Sequence, residues 1–558
     1  MRRVLYATWC FAMLSAHCLT AQPRSTRSDI TVRALGTVGS ASVRIRRDPA
    51  SGNFYVMQND GNIYRVVFGP GGLTSDTIVY RQSDHRLNHP LGMTFGSDGT
   101  MYLVGNDSTG VLGTATVVKG VPDAPGSERR TWSIIANTVA YPYGHVYNHR
   151  MSGIILSPGA DSLYVNSGAA TDHGELREGN REVGLTSIIL KLPVNGQTIT
   201  LQNDREWLRS NGYLLAEGIR NTFDFAYAGN GDLFGVENSG DRDDPDELNW
   251  IREGHHYGFP WRIGGNNTPQ QFTPYDPRHD PLLNPASWGG GSLYTTFSND
   301  PTYPAPPAGV TFTEPVESAG PDADRYRDTA TGTVLDASSL GRTITTFTGH
   351  RSPDGIVFDR DSVLAGDLKG GGFVISLATG VVLQALGDTS QDLLHLDLSK
   401  SGSGYAARIT RIVSGFNSPL GIEMAGNAIY VLETGLEGTN SSPKLWKVTL
   451  PAGLSTSAEP GRTIPNSPAL MQNYPNPFNP STRVDFSMPA SGAATLIVYD
   501  LLGRQVRTLV SGVVGAGLHS VEWDGKDSRG MSAGSGVYFY RLSTASNFTA
   551  TRSMICIR

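Results

Sequence analysis

Six times along the chain an alternating apolar strand runs into a tight turn and returns as a second apolar strand. The first hairpin pairs Gly52–Met57 with Ile63–Val66, and the second pairs Leu91–Phe95 with Met101–Val104 across Asp98-Gly99. The third pairs Ser152–Leu156 with Leu163–Val165, and the fourth pairs Phe223–Tyr227 with Leu233–Val236 across Asn230-Gly231-Asp232. The fifth pairs Asp354–Phe358 with Val363–Ala365, and the sixth pairs Leu420–Met424 with Ile429–Leu432. A lone hairpin cannot bury its apolar face, whereas radial packing of similar units gives every face a neighbour. The pattern therefore predicts an all-β chain built around a six-bladed β-propeller. A pair of β-sandwiches, which also has short strands and many turns, is the alternative.

At 558 residues the chain exceeds one ordinary domain. The 66 glycines and 33 prolines supply the turns that so many strands require. With 45 basic and 51 acidic residues the formal charge is -6, which argues against nucleic acid or an anionic membrane as the main partner. Arg2 and Arg3 precede a short apolar run, Val4–Leu19, and a small-residue site before Gln22. Residues 1–21 are thus expected to be an export signal peptide, with no transmembrane anchor left after cleavage. Cys10 and Cys18 fall inside that segment, so Cys556 stands alone and disulfides do not hold the fold.

Residues 28–450 are assigned to the propeller, with Arg262–Thr345 expected as an elaborated loop over one face. Trp250, Trp261 and Trp288 in or near that stretch argue against full disorder. Residues 451–470 read as a linker rich in Pro, Ser, Thr and Gly. Residues 471–558 form a second alternating-strand module long enough for a small C-terminal β-sandwich, with strands at Thr482–Phe486, Ala494–Tyr499 and Val537–Leu542. Its words include Asn473-Tyr474-Pro475-Asn476-Pro477-Phe478, Val498-Tyr499-Asp500, Trp523-Asp524-Gly525 and Gly536-Val537-Tyr538. In that order they resemble the C-terminal sorting domain of the type IX secretion system. The resemblance implies that this machinery is a partner, and that the protein is secreted or held on the outer surface of a Gram-negative bacterium.

Chemistry concentrates between Gly218 and Trp261. Arg220 stands at the start of a blade, where a guanidinium can grip an anionic or quinonoid ligand bidentately. The acidic loop that follows, from Glu237 to Glu247, offers hard oxygen ligands suited to calcium, or else is a solvated loop. His149, just before the third hairpin, is a candidate general base; the plainer reading is a loop histidine bonded to backbone. His145, His173, His255, His256 and His350 compete with it, and periodicity does not rank them.

Residues 40–440 are similar to the soluble glucose/sorbosone dehydrogenase family, quinoprotein six-bladed propellers that use pyrroloquinoline quinone (PQQ). The matching words are His149 ahead of Ile154–Pro158, Gly218-Ile219-Arg220-Asn221, Asp246-Glu247-Leu248-Asn249, Tyr257–Trp261 and Asp367-Leu368-Lys369-Gly370. The resemblance implies that His149 takes a sugar hydroxyl proton, that Arg220 and Lys369 contact PQQ oxygens, and that Asn238 and Arg411 lie at the cofactor. It also implies that the carbonyls of Ser239 and Gly240 bind a calcium ion that seats PQQ. Two departures stand out: Gly168-Ala169-Ala170 where an acidic partner of the histidine is expected, with Asp172 nearby but out of register, and Asn148 where an aspartate is expected. The function so implied is oxidation of an aldose-type sugar substrate; a non-catalytic surface propeller that binds carbohydrate or protein is the alternative. A metal-dependent lactonase-type propeller is the third.

Overall fold

The computed structural model describes residues 22–124, 126–142, 149–177, 179–284, 296–378, 380–453, 468–473, 476–489, 492–514, 517–544 and 548–557. The signal segment and most of the linker fall outside them. Chain contacts divide the protein into two compact units, 1–455 and 456–558.

The first unit is a six-bladed β-propeller. Blade one comprises Ser42–Arg47, Phe54–Gln58, Ile63–Gly69 and Gly72–Tyr80, in antiparallel order from the axis outward. Blade two runs Pro90–Phe95, Met101–Thr109, Leu112–Pro122 and Arg130–Thr138. Blade three runs Ile154–Leu156, Ser162–Ser167, Ile188–Pro193 and Leu214–Glu217, while blade four has only Thr222–Tyr227, Leu233–Glu237 and Glu247–Ile251. Blade five is Pro353–Phe358, Gly372–Ser376, Asp392–Ser401 and Gly404–Ser414. Blade six is Pro419–Ala425, Ala428–Glu433 and Lys444–Thr449, completed on its outer edge by Thr31–Thr37 from the start of the chain. That pairing closes the ring, so both ends of the unit share one sheet.

Alternation places one side-chain set against each neighbouring blade. Val104, Val117, Ile154, Leu163 and Ile188, for example, meet between blades two and three, all at 3% exposure or less. Where blade four would continue outward, the chain leaves as residues 262–345. Its described residues form short ribbons and 3₁₀ turns and lend Glu317–Pro321 as a parallel strand to blade five.

Two hairpins differ from the pattern read in the sequence. The first is the middle of blade one, because the inner strand is Ser42–Arg47, whose Arg44 is buried at 1% exposure. Alternating arginines there look like a solvated strand, but they face the propeller axis, where Asp224 takes Arg46 at 2.5 Å and Arg44 at 3.7 Å. In the fifth hairpin the return strand is Gly372–Ser376 rather than Val363–Ala365, so residues 359–371 form the connecting turn.

The second unit is a β-sandwich. One sheet holds Ala469–Leu470, Thr482–Met488 and Gly517–Trp523; the other holds Gln505–Val514, Gly492–Tyr499, Gly536–Thr544 and Thr549–Cys556. Trp523 is its fully buried centre, packed on Phe478 and Tyr538, with its indole N–H donating to the Lys526 carbonyl at 2.8 Å. Trp523→Ala removes that packing and should cost about 3–5 kcal/mol. In calorimetry of the whole protein the transition of this unit should fall while that of the propeller stays in place.

Candidate active site at the Asp172–Arg220 cluster

Loops that join the second and third strands of each blade emerge on the same rim as the starts of the inner strands. On that rim the 168–187 loop of blade three meets Gly218–Asn221 and the 238–246 loop of blade four. Gly218 makes the approach possible. Its φ is +71°, and a Cβ there would run into the His256 ring and the Gly258 nitrogen. The turn delivers Arg220 into the interior with a side chain 5% exposed.

Arg220 is held by three hydrogen bonds. Its Nε donates to the Asp172 carbonyl at 2.9 Å, Nη1 to the Asn238 carbonyl at 3.1 Å, and Nη2 to the Asp172 carboxylate at 2.7 Å. Its backbone N–H donates to Glu237 at 2.5 Å. Asp172 also receives His173 Nδ1 at 3.0 Å and the Asp241 N–H at 3.2 Å. Although burial opposes its charge, the Arg220 guanidinium and His173 hold its carboxyl well below the usual aspartate range. Gly240 packs so closely that a Cβ would meet the Asp172 carboxylate at 2.9 Å.

His149 sits beside this ion pair. Burial, then the Arg220 charge, lowers its pKa well below the ordinary histidine value, against the opposing pull of Asp172 and a hydrogen bond to the Ala169 backbone. Nδ1 is buried and has no hydrogen-bond partner. A neutral ring keeps a lone pair on one of its two nitrogens, the form a general base needs. Asp172 exerts an upward electrostatic pull on His149, but its carboxylate is bonded to Arg220, His173 and the Asp241 N–H rather than to the His149 ring.

The other histidines are differently engaged. His255 pairs with Thr313, His256 accepts from the Gly258 N–H, and His350 faces Asp243 at 2.8 Å. His145 lies outside the described residues. Among the described ones of these, only His173 also keeps a buried ring nitrogen without a partner.

The remaining expected positions divide. Asn238 joins the site: its carbonyl takes Arg220, its amide oxygen takes Asn221 at 3.0 Å, and its amide donates to Ser352 at 3.1 Å. Ser239 is fixed by two 2.8 Å bonds from its N–H and hydroxyl to Asp246. Lys369 is not brought to the site. The register that runs from Pro353 opposite Ser376 to Phe358 opposite Gly372 puts residues 359–371 at the far end of the blade, where Lys369 is exposed. Arg411 is committed elsewhere, on the outer strand of blade five, donating to Asp392 at 2.6 Å and Asp388 at 2.9 Å beside buried Arg351.

The acidic loop is neither solvated nor a cluster of metal-facing carboxylates. Asp243 takes Arg327 and His350, Asp244 takes Arg242 and Asn266, and Asp246 accepts four donors from Ser239, Arg351 and Ser352. Glu237 and Glu247 lie opposite each other on paired strands. Burial raises both, Glu237 to about 7, and the Glu237 carboxylate pushes Glu247 further upward. Among the described residues no group of three or more His, Cys, Asp or Glu is placed to hold a metal. The carbonyls of Ser239 and Gly240 remain as ligands. They take no hydrogen bond from a described residue, and calcium there would need further oxygens from water or a cofactor. PQQ fits the donors in one respect: Arg220 keeps two unused N–H groups for its acceptor oxygens.

Residues 477–547 match the FlgD Ig-like domain family, so the second unit carries an Ig-like domain. No curated protein matches the chain. Among solved structures it is similar to the PQQ-bound aldose sugar dehydrogenase of Streptomyces coelicolor, at 16% identity and a TM-score of 0.43, over 76% of this chain and 99% of that one. It is also similar to the PQQ domain of pyranose dehydrogenase from Coprinopsis cinerea, at 12% identity and a TM-score of 0.47, over 77% and 97% of the two chains. For the soluble aldose sugar dehydrogenase of Escherichia coli in its apo form the values are 12%, 0.43, 75% and 99%.

Proposed function

We propose that the propeller is a quinoprotein oxidoreductase that oxidises an aldose-type sugar with PQQ and calcium. What carries the reading is the meeting, on one rim, of a buried arginine with spare N–H groups, a neutral imidazole beside it, and two adjacent open carbonyls. Arg220, Asn221 and Asn238 would hold the quinone, and the carbonyls of Ser239 and Gly240 would contribute to the calcium. When bound, PQQ supplies the acceptor for the two electrons that leave the sugar carbon.

The protein's own part is proton handling and orientation. His149 takes the proton of the sugar hydroxyl, and Asp172 compensates the positive charge that the ring then gains. Arg220 is locked before any ligand arrives, so it costs no reorganisation when negative charge develops beside it. Because the His149 pKa is depressed, the ring is already deprotonated at neutral pH. The acid limb of kcat/KM should therefore lie below about pH 6.5, with a plateau above it.

The test is dye reduction by purified protein with PQQ, calcium and a panel of aldoses. His149→Ala should cut turnover by about 10²–10⁴-fold while leaving the PQQ-induced rise in melting temperature in place. Absence of both dye reduction and a PQQ-dependent melting shift in the wild type would rule the reading out. The second reading, a binding propeller without turnover, is favoured by the bonds that Arg220 already makes inside the protein. It expects sugar binding that His149→Ala leaves unchanged.

The C-terminal unit we assign to export through type IX machinery, on the words Val498-Tyr499-Asp500 and Trp523-Asp524-Gly525, with residues 1–21 as the signal peptide. Deletion of residues 471–558 should leave the protein in the periplasm of its host, as read by fractionation.

A further inference from the structure

At the opposite end of the propeller axis from Arg220 lies a cavity of about 490 Å³, of a size that holds a small molecule. Its wall is a ring built from one position in each blade. Arg46, Thr94, Ile155, Ala226, Val357 and Glu423 sit near the ends of the six inner strands, each opposite a Tyr or Phe of the second strand, and all six line the cavity. Two residues earlier on those strands stand Arg44 and Asp224, with glycine in the other four blades. The side chains of Arg44 and Asp224 are buried, and the ion pairs of Asp224 with Arg44 and Arg46 close the floor.

The lining has two chemistries. Ile155, Ala226 and Val357, from three consecutive blades, make one side apolar, whereas Arg46 and Glu423 make the facing side polar. At the mouth stand Arg47 and Arg360, both exposed. Arg47 commits only Nε, to the Gly52 carbonyl at 3.3 Å, and its two Nη groups bond to no described residue. The Arg360 guanidinium makes no hydrogen bond or ion pair with a described residue and lies 5.8 Å from the centre of the Tyr227 ring. Glu423 is the one acid among the described lining residues, and burial raises its pKa to about 7. Asp48, Asp98, Asp161 and Asp359, on the surrounding turns, are taken up by N–H and hydroxyl groups of those turns. Two guanidinium groups without a carboxylate partner thus stand beside an apolar wall, and a planar guanidinium pairs with a carboxylate through two parallel N–H bonds.

We propose that this cavity binds a small organic carboxylate with an apolar body, its head on Arg360 within the field of Arg47 and its body against Ile155, Ala226 and Val357. A hydrophilic anion gains the head contact alone and a neutral apolar molecule the wall alone, so the lining selects a ligand that carries both. The site is independent of the quinone reading. It shares no residue with the Asp172–Arg220 rim, and the buried Arg44–Asp224 pair lies between the two.

Calorimetric titration of the purified protein with 3-phenylpropionate tests the proposal, with 3-phenylpropan-1-ol as the neutral control and acetate as the control without a body. The phenylpropionate should bind, and both controls should bind at least tenfold more weakly. Arg360→Gln should weaken it tenfold or more and Arg47→Gln severalfold. The melting temperature of the free protein should stay where it is, because neither guanidinium holds an ion pair with a described residue. Raising the ionic strength from about 0.05 to about 0.5 M should weaken binding to the wild type as well, and this serves if the variants do not fold. PQQ and calcium should leave the titration unaltered. A flat wild-type titration, equal binding of the alcohol or of acetate, salt-insensitive binding, or unchanged affinity in folded Arg360→Gln overturns the site. Loss of phenylpropionate binding on adding PQQ would move the ligand to the other rim and overturn it too.

Discussion

Arg220→Ala should lower stability by about 3–5 kcal/mol and abolish the response to PQQ together. The size follows from what is left behind. Asp172 is 0% exposed and its charge is held mainly by Arg220; without the guanidinium it keeps only His173 and the Asp241 N–H. The carbonyls of Asp172 and Asn238 also lose their donor, so the two loops that form the rim come apart at their contact. Arg220→Lys keeps the charge yet cannot serve three acceptors in a fixed fork, and an intermediate loss is expected. Asp172→Asn should recover part of the stability of Arg220→Ala, because an amide carries no charge to strand. Urea unfolding of the single and double variants measures this coupling directly. Additive losses would mean that the pair is not the support of the site.

The second large effect concerns carboxylates on and near the propeller axis. Burial raises Asp354 to about 7, against the Ser352 hydroxyl and the Arg44 charge, and raises Glu423 to about 7 as well. A folded pKa above the unfolded one means that the native state keeps a proton the unfolded chain has released. Stability then falls as pH rises from about 4 to about 7 and is level above that. For Asp354 the gap from its ordinary value corresponds to about 4 kcal/mol. Asp172 has the opposite sign: its folded value is depressed, so its contribution is present above about pH 4 and fades in stronger acid. Asp354→Asn, which can still accept from Ser352 at 2.9 Å, should raise stability at pH 8 by a few kcal/mol and flatten the slope between pH 4 and 7. Unfolding free energies across that range are the measurement; an unchanged slope would place the proton elsewhere.

These effects show what was readable from the chain and what was not. Period-two alternation and Asp-Gly turns identify the propeller, because both are local properties of a strand and its return. They fail at Ser42–Arg47, where buried arginines mimic a surface strand and only the distant Asp224 explains them. Arg220 stood out as a guanidinium at the start of a blade, whereas Asn238 entered only through a family resemblance. Lys369 was misplaced because the length of one turn decides which rim it joins, and a motif word carries no such information.

The most direct test of the central claim is a crystal structure of the protein grown with PQQ and calcium. The account predicts a quinone against Arg220 and Asn238, a calcium ion on the carbonyls of Ser239 and Gly240, and the His149 ring beside the quinone. A quinone bound away from the Asp172–Arg220 rim, or no ordered quinone at saturating concentration, would contradict it.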